Sequence, residues 1–309
     1  MMRLPYKITV IGAGAVGATL AHRILEGDIA DVIMIDIMGD MARGKAYDLS
    51  DAAPIKDHER KITGTDDYAL MKGSHIVVIT AGFARKPGMS REDLIAKNAA
   101  IVKGVAEQVR THAPDALVIV VTNPLDVMTY LTCQTTGFDR KRVFGMAGVL
   151  DGSRFTQLVS EELGVPRSEI ETCILGSHGD TMVPVISRTT VQGKPITEAM
   201  SPEILDRIVQ RTRDRGAEIV KLFGTGSAFY SPSAGVLKLI ECIVDNAHET
   251  LAVSVCLDGE YGLHNIAMGV PCTIGKSGVE EIIEFDLDKQ EKESFQRSAQ
   301  AIKKAIDRL

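Results

Sequence analysis

The sequence predicts an α/β protein, with a parallel sheet between helices in its first half and a mixed α+β domain in its second. Three observations carry that prediction. Apolar runs alternate with helical patterns up to about residue 145. Those runs, such as HIVVIT (75–80) and ALVIVVTN (116–123), are β-branched without polar alternation, as strands covered on both faces are. Beyond residue 145 the alternation is lost, and helices and strands follow in irregular order.

The elements follow in turn. KITVIGAG (7–14) reads as a strand running into a glycine turn, AVGATLAHRILEG (15–27) as the helix after it, and VIMIDI (32–37) as a second strand. HIVVIT precedes a helix from Ser90 to about His112, and ALVIVVTN is the next strand. A helix near 151–164 opens the second half, and ETCIL (171–175) reads as a strand delivering the chain to GSHGD (176–180). Ser201 stands as an N-cap before Pro202 at the first helical position, starting a long helix toward Phe223. PSAGVLKLIECIVDN (232–246) reads as a helix, LAVSVCL (251–257) and VEEIIEF (279–285) as strands. The last helix places Phe295, Ala299, Ile302, Ile306 and Leu309 on one face, with Asp288 and Glu291 at capping-box spacing. No linker interrupts the chain, so residues 1–145 and 146–309 are expected as two closely packed domains.

Composition narrows the function classes. A chain of 309 residues with 45% hydrophobic and 25% charged residues is an ordinary globular composition. A formal charge of −6 argues against nucleic-acid binding, which needs a concentrated basic field. No stretch has the length of an apolar membrane span. The N-terminus passes directly into strand-like sequence, so no cleavable signal is expected. Five cysteines without a CxxC pair suit free thiols in a reducing compartment rather than disulfides or zinc. A cytoplasmic protein without a metal site is expected.

Gly12-Ala13-Gly14-Ala15-Val16-Gly17 is a GxGxxG lying between a strand and a helix. The first glycine permits the tight turn, the second a close approach of backbone to a pyrophosphate, and the third close packing of helix on strand. Asp36 ends the second strand, 19 residues after Gly17, where a carboxylate accepts hydrogen bonds from adenosine ribose hydroxyls and repels a 2′-phosphate. A plain βα turn with a solvated aspartate is the bland reading. Together the two signals predict a Rossmann domain binding NAD rather than NADP.

Three further places carry candidate chemistry. AGFARKPGMSRED (81–93) leaves the C-terminal end of a strand, the ligand-binding edge of open α/β sheets, and Ser90 and Asp93 have capping-box spacing. It bears Arg85 at mid-loop and Arg91 at the first helical position. A cation there opposes the helix dipole, so Arg91 fits an anion site better than it fits helix stability. Asp151 and Arg154 lie one helical turn apart, either as a surface ion pair or as an imidazole holder and a carboxylate clamp; spacing alone does not choose. His178 sits between glycines in a loop after a strand, where its side chain is expected to be exposed rather than packed. An imidazole there can exchange a hydroxyl proton near neutral pH.

GAGAVG with Asp36, AGFARKPGMSRED, VTNPLD (121–126), GVLDGSRF (148–155), GSHGD and GTGSAFYSPSAG (224–235) occur in an order that resembles the lactate/malate dehydrogenase family along the whole chain. The resemblance implies a Rossmann domain followed by a mixed catalytic domain. It implies that His178 is the acid/base, Asp151 its orienting partner and Arg154 the clamp on the carboxylate beside the reacting carbon. Arg91 is implied to polarise the substrate carbonyl, Asn123 to contact substrate, Val121 and Thr122 to line the nicotinamide side, and Asn98 to add a cofactor contact. At Arg85, lactate-type members carry Gln and malate-type members Arg; a second guanidinium matches a second carboxylate, whereas the methyl of pyruvate leaves it unpaired. A dicarboxylate substrate and a homodimer or homotetramer are therefore expected. Three rivals stand beside this reading: a lactate or other 2-hydroxy acid enzyme, an NADP enzyme, and a silent NAD-binding regulator.

Overall fold

Alternation of strand and helix governs the first half of the computed structural model, which describes residues 6–83 and 91–309, the side chain of Arg91 excepted. The elements are β1 (Tyr6–Ile11), α1 (Ala15–Glu26), β2 (Ala30–Ile35), α2 (Gly39–Lys56), β3 (Ile62–Thr65), β4 (Ile76–Ile79), α3 (Arg91–His112), β5 (Leu117–Val120), α4 (Leu125–Thr136) and β6 (Val143–Gly145). The unbroken apolar runs lie mid-sheet: every residue of β4 and β5 is buried. The six strands are parallel in the order β3-β2-β1-β4-β5-β6. The order reverses between β1 and β4, so the loops leaving their C-terminal ends diverge and open a crevice.

In the second half α5 (Gly148–Leu163) leads to β7 (Ile170–Glu171), β8 (Ile174–Gly176) and β9 (Met182–Pro184), and then to β10 (Thr190–Val191), β11 (Lys194–Pro195) and α6 (Ile196–Ala199). The long helices α7 (Pro202–Phe223) and α8 (Tyr230–Asp245) precede β12 (Glu249–Asp258), β13 (His264–Gly275), β14 (Gly278–Ile282) and the final helix α9 (Lys289–Ile306). The two halves do more than touch. β12 pairs antiparallel with β6, setting Ser254 opposite Gly145, and β13, β8 and β9 extend the same sheet. One core cluster accordingly runs from Ile8 and Val10 through Phe144 and Leu150 to Val253 and Phe295.

The structure departs from the sequence reading at several points. ETCIL is not one strand: β7 ends at Glu171 and β8 starts at Ile174. The strand read over 279–285 stops at Ile282, where its pairing with Cys272 of β13 ends. Leu309 does not share the buried face of α9, because the helix ends at Ile306 and Leu309 is exposed. Asp288 and Glu291 do form a reciprocal capping box, whereas Ser201 takes the N-cap position without a side-chain bond to the helix backbone and meets the Glu203 side chain instead. The Ser90 end of the helix read from sequence lies outside the described residues.

Candidate active site

The cofactor side is built by the β1–α1 turn. Gly12 has φ +107°, and a Cβ there would lie 2.6 Å from Thr80 Oγ1 and 2.8 Å from the Ala81 nitrogen. A Cβ on Gly17 would lie 1.9 Å from the Gly12 carbonyl oxygen, so only glycine lets α1 approach the loop this closely. Gly14 caps α1 with no side-chain hydrogen bond, nothing among the described residues lies within 4 Å of where its Cβ would stand, and the first turn carries no acid. The free N–H groups and dipole of that turn suit a pyrophosphate. Ala13 donates its N–H to Asp36 Oδ2 at 2.7 Å and Met38 donates to Oδ1 at 2.9 Å. Each oxygen keeps acceptor capacity, and the carboxylate is fixed beside the loop. These residues fit a dinucleotide.

A test follows from Asp36. The variant Asp36→Ser is expected to raise the KM for NADH about tenfold, the worth of a charge-assisted hydrogen bond, and to improve relative use of NADPH. Steady-state kinetics with both cofactors measure it. An unchanged NADH/NADPH ratio would remove Asp36 from the ribose site.

The catalytic side is built by β8 and α5. β8 hands the chain to the loop bearing His178, while the first turns of α5 present Asp151 and Arg154 on one face. His178 Nδ1 lies 2.8 Å from Asp151 Oδ2, and Arg154 Nη1 lies 3.6 Å from Asp151 Oδ1. The His178 side chain is only 13% exposed, so the exposed loop histidine expected from sequence is in fact packed. Asp151, 2% exposed, faces the ring from α5. With Nδ1–H donated to Asp151, Nε2 is the nitrogen left for chemistry. Burial disfavours the imidazolium, but the charge and hydrogen bond of Asp151 outweigh it and hold the His178 pKa above the ordinary value. Burial acts on Arg154 too, and its pKa is lowered despite Asp151. Among the described residues, Arg154 Nε and Asp151 Oδ1 are buried without a hydrogen-bond partner. A desolvated guanidinium with an unused donor suits a carboxylate ligand.

Both sides open onto one cleft of about 530 Å³, whose lining includes Gly14, Ala15, Val121, Asn123, Arg154 and His178. Val16, Gly17 and Thr122 also border it, and Thr122 Oγ1 donates to the Ala81 carbonyl at 2.7 Å. Asn123 precedes Pro124 through a cis peptide bond. Asn98, expected to add a cofactor contact, is held among backbone groups at the edge of the cleft loops. It is fully buried, accepts from the Phe83 N–H at 2.8 Å, and donates to the carbonyls of Phe83 and Asn123 at 3.2 and 2.7 Å. Its amide ties the end of the β4 loop to Asn123, and its oxygen keeps capacity for a second bond. Arg91 is the first residue of α3, its side chain lying outside the described residues, and Arg85 lies outside them altogether.

Sequence reasoning passed over Asp126. It is 4% exposed, accepts from the His178 backbone N–H at 2.9 Å through Oδ2, and accepts from Ser254 Oγ at 2.8 Å through Oδ1. Burial pushes its pKa up to about 6. The available signal was an acid inside an otherwise apolar helix start, VTNPLD; nothing in spacing links it to a histidine 52 residues later.

Comparison with known proteins agrees with this geometry. The lactate/malate dehydrogenase NAD-binding domain matches residues 6–145, and the α/β C-terminal domain of the same family matches 148–309. Malate dehydrogenase of Trichormus variabilis is 51% identical over 306 residues, covering 99% of this chain and 94% of that protein. The crystal structure of Cryptosporidium parvum malate dehydrogenase superposes with a TM-score of 0.95 at 37% identity, covering 98% of each chain. Lactate dehydrogenase of the same organism, complexed with lactic acid and nicotinamide adenine dinucleotide, also gives 0.95, at 36% identity over 99% of this chain and 98% of that one. Backbone shape therefore does not separate the two activities. Matched over both halves, with a glycine loop shaped for a dinucleotide and a buried Asp–His–Arg cluster on its cleft, the chain belongs to the lactate/malate dehydrogenase family.

Proposed function

We propose that the chain is an NAD-dependent malate dehydrogenase, interconverting L-malate and oxaloacetate with His178 as the acid/base. The observation that carries this reading is His178 Nδ1 held at 2.8 Å by buried Asp151, one helical turn from the mostly buried Arg154, on the cleft above the glycine loop. Full-length relatives named malate dehydrogenase, at 46–51% identity, support the dicarboxylate. Arg85 in the loop supports it chemically.

Bound NAD supplies the nicotinamide that exchanges hydride with C2 of the substrate. The first domain, 1–145, holds the cofactor: N–H groups of the first turn of α1 bind pyrophosphate, Asp36 binds the ribose, and Val121, Thr122 and Asn123 border the nicotinamide side. In the second domain, 146–309, Arg154 grips the carboxylate next to the reacting carbon. His178 Nε2 takes the hydroxyl proton of malate, or returns one to the oxygen of oxaloacetate, while Asp151 fixes the ring and stabilises the imidazolium. Arg91 polarises the carbonyl, and Arg85 binds the second carboxylate. Asn98 acts by fixing Asn123. Five free thiols suit a cytoplasmic location. Among the described residues no helix is long and apolar enough to cross a membrane. Tyr47 and Ile55, 69% and 83% exposed on α2, suit a self-contact in a homodimer or homotetramer.

NADH absorbance followed with oxaloacetate and pyruvate side by side tests the assignment. Oxaloacetate is expected to be preferred by orders of magnitude. Comparable rates would make this a general 2-hydroxy acid dehydrogenase, and NADH binding without turnover a regulator. Arg85→Gln is expected to lower kcat/KM for oxaloacetate on the order of 10²-fold and to move preference toward pyruvate. Unaltered oxaloacetate specificity in that variant would show that Arg85 is not the discriminating cation.

A further inference from the structure

Two successive backbone N–H groups of the GSHGD loop are held by groups from different parts of the fold. Ser177 donates to Ser298 Oγ of α9 at 2.8 Å, a neutral anchor. His178 donates to Asp126 Oδ2 of α4 at 2.9 Å, an ionisable one. Asp126 lies in the first turn of α4, where an acid suits the helix dipole, yet a buried carboxylate is costly to keep where a threonine or asparagine could accept the same bond. Its other oxygen is taken by Ser254 of β12, so the carboxylate is held by two donors and cannot swing away. It also lies three residues beyond Asn123, joined through the cis Asn123–Pro124 bond. One side chain thus ties the loop that carries the imidazole to the strand that joins the two halves of the sheet.

We propose that Asp126 is a positioning residue for proton transfer, setting the place of His178 through its backbone while presenting a second fixed negative charge to the imidazolium. The proposal rests on the reading of His178 as acid/base. Among the described residues, the charged groups acting on that ring are Asp151 and Arg154 from α5 and Asp126 from α4. Asp151 and Asp126 favour the protonated ring and Arg154 opposes it. Asp151 holds the ring at Nδ1; Asp126 holds the backbone from which the ring projects. The two carboxylates therefore fix different degrees of freedom of one histidine. Burial pushes the pKa of Asp126 itself up to about 6, and the group presents its charge on the alkaline side of that value.

Asp126→Asn separates charge from shape. The amide oxygen can accept from the His178 N–H, and the amide nitrogen can donate to Ser254 Oγ, which then turns its own hydrogen elsewhere. Removal of the charge lowers the pKa of His178. Oxaloacetate reduction uses the protonated ring, so the fall of kcat/KM with rising pH is expected about half a unit or more lower in this variant. Asp126→Ala removes both hydrogen bonds and is expected to lower kcat tenfold or more, with NADH affinity kept and activity largely rescued by Asn. Ser298→Ala, which loosens the neighbouring neutral anchor, is expected to leave the pH midpoint in place. A wild-type midpoint in Asp126→Asn, or a midpoint moved equally by Ser298→Ala, overturns the electrostatic role; wild-type kcat in Asp126→Ala overturns the positioning role. If the alanine variant does not fold, the asparagine midpoint decides alone. Failure of the underlying reading looks different: His178→Asn would then turn over normally, whatever Asp126 does.

Discussion

Replacing His178 with Asn is expected to lower kcat for oxaloacetate reduction on the order of 10³-fold, within the usual span for loss of a general acid. NADH affinity is expected to stay, because the glycine loop and Asp36 lie on the other side of the cleft and share no bond with the imidazole. Asn can still donate to Asp151, so the buried carboxylate keeps a partner and the loop keeps its anchors to Asp126 and Ser298. The loss is therefore one of chemistry rather than of fold. Its pH signature has a definite sign. The wild-type histidine has a raised pKa, so reduction, which consumes a proton from the ring, is sustained to higher pH than an ordinary histidine allows and declines as pH rises through the raised value. Malate oxidation needs the neutral ring and rises over the same window. In the Asn variant that opposition should vanish, leaving a weak residual rate nearly independent of pH there. Stopped-flow turnover and fluorescence titration of NADH measure the two halves of the claim. A variant retaining a tenth of wild-type kcat would transfer the proton role to another group.

Legibility of the molecule tracked the locality of each physical signal. The glycine loop was readable because its constraint is local: Gly12 and Gly17 clash with atoms of their own turn and of the adjoining strand, so any such turn needs them. β4 and β5 were readable because burial on both faces leaves unbroken β-branched runs. α4 was not, since eight of its residues, Leu125 to Thr136, are buried around most of its circumference and leave no amphipathic stripe. Its threonines satisfy their hydroxyls on carbonyls one turn back, as Thr132 does on Met128 at 2.7 Å, which hides polar residues inside a core helix. α2 carries Pro54 and buries only Gly39, Ala42 and Ala46, and β13 carries Pro271 in mid-strand, each against the usual pattern for its element. Asp151, Arg154 and His178 were legible as candidates, but their meeting depends on β8 and α5 packing against each other. Asp126 is wholly a product of tertiary structure. Asn98 was a candidate only through its place in the family pattern; its hydrogen bonds to the backbone of Phe83 and Asn123 come from tertiary structure.

Arg154→Leu is expected to cost about 3–5 kcal/mol in kcat/KM, on the order of 10²–10³-fold or more, while leaving thermal stability close to wild type. The two halves of that expectation have one cause. Arg154 is a mostly buried cation whose Nε has no partner among the described residues and whose nearest contact to Asp151 is 3.6 Å, beyond hydrogen-bond distance. Burial depresses its pKa, which means the fold gains little by holding it charged. Leu removes that desolvated charge, and Asp151 keeps its short bond to His178. The protein therefore loses a ligand for the substrate carboxylate without losing an interaction its own stability uses. Arg154→Lys should recover only part of the activity, because a point charge cannot reproduce a two-pronged grip. Loss of the cation also removes a group that opposes protonation of His178, so its pKa should rise, opposite to the shift expected for Asp126→Asn. Pyruvate and oxaloacetate share the carboxylate beside the reacting carbon, so Arg154→Leu should depress both rates by a similar factor, whereas Arg85→Gln should change their ratio. A ratio that moves in Arg154→Leu and holds in Arg85→Gln would exchange the roles of the two arginines.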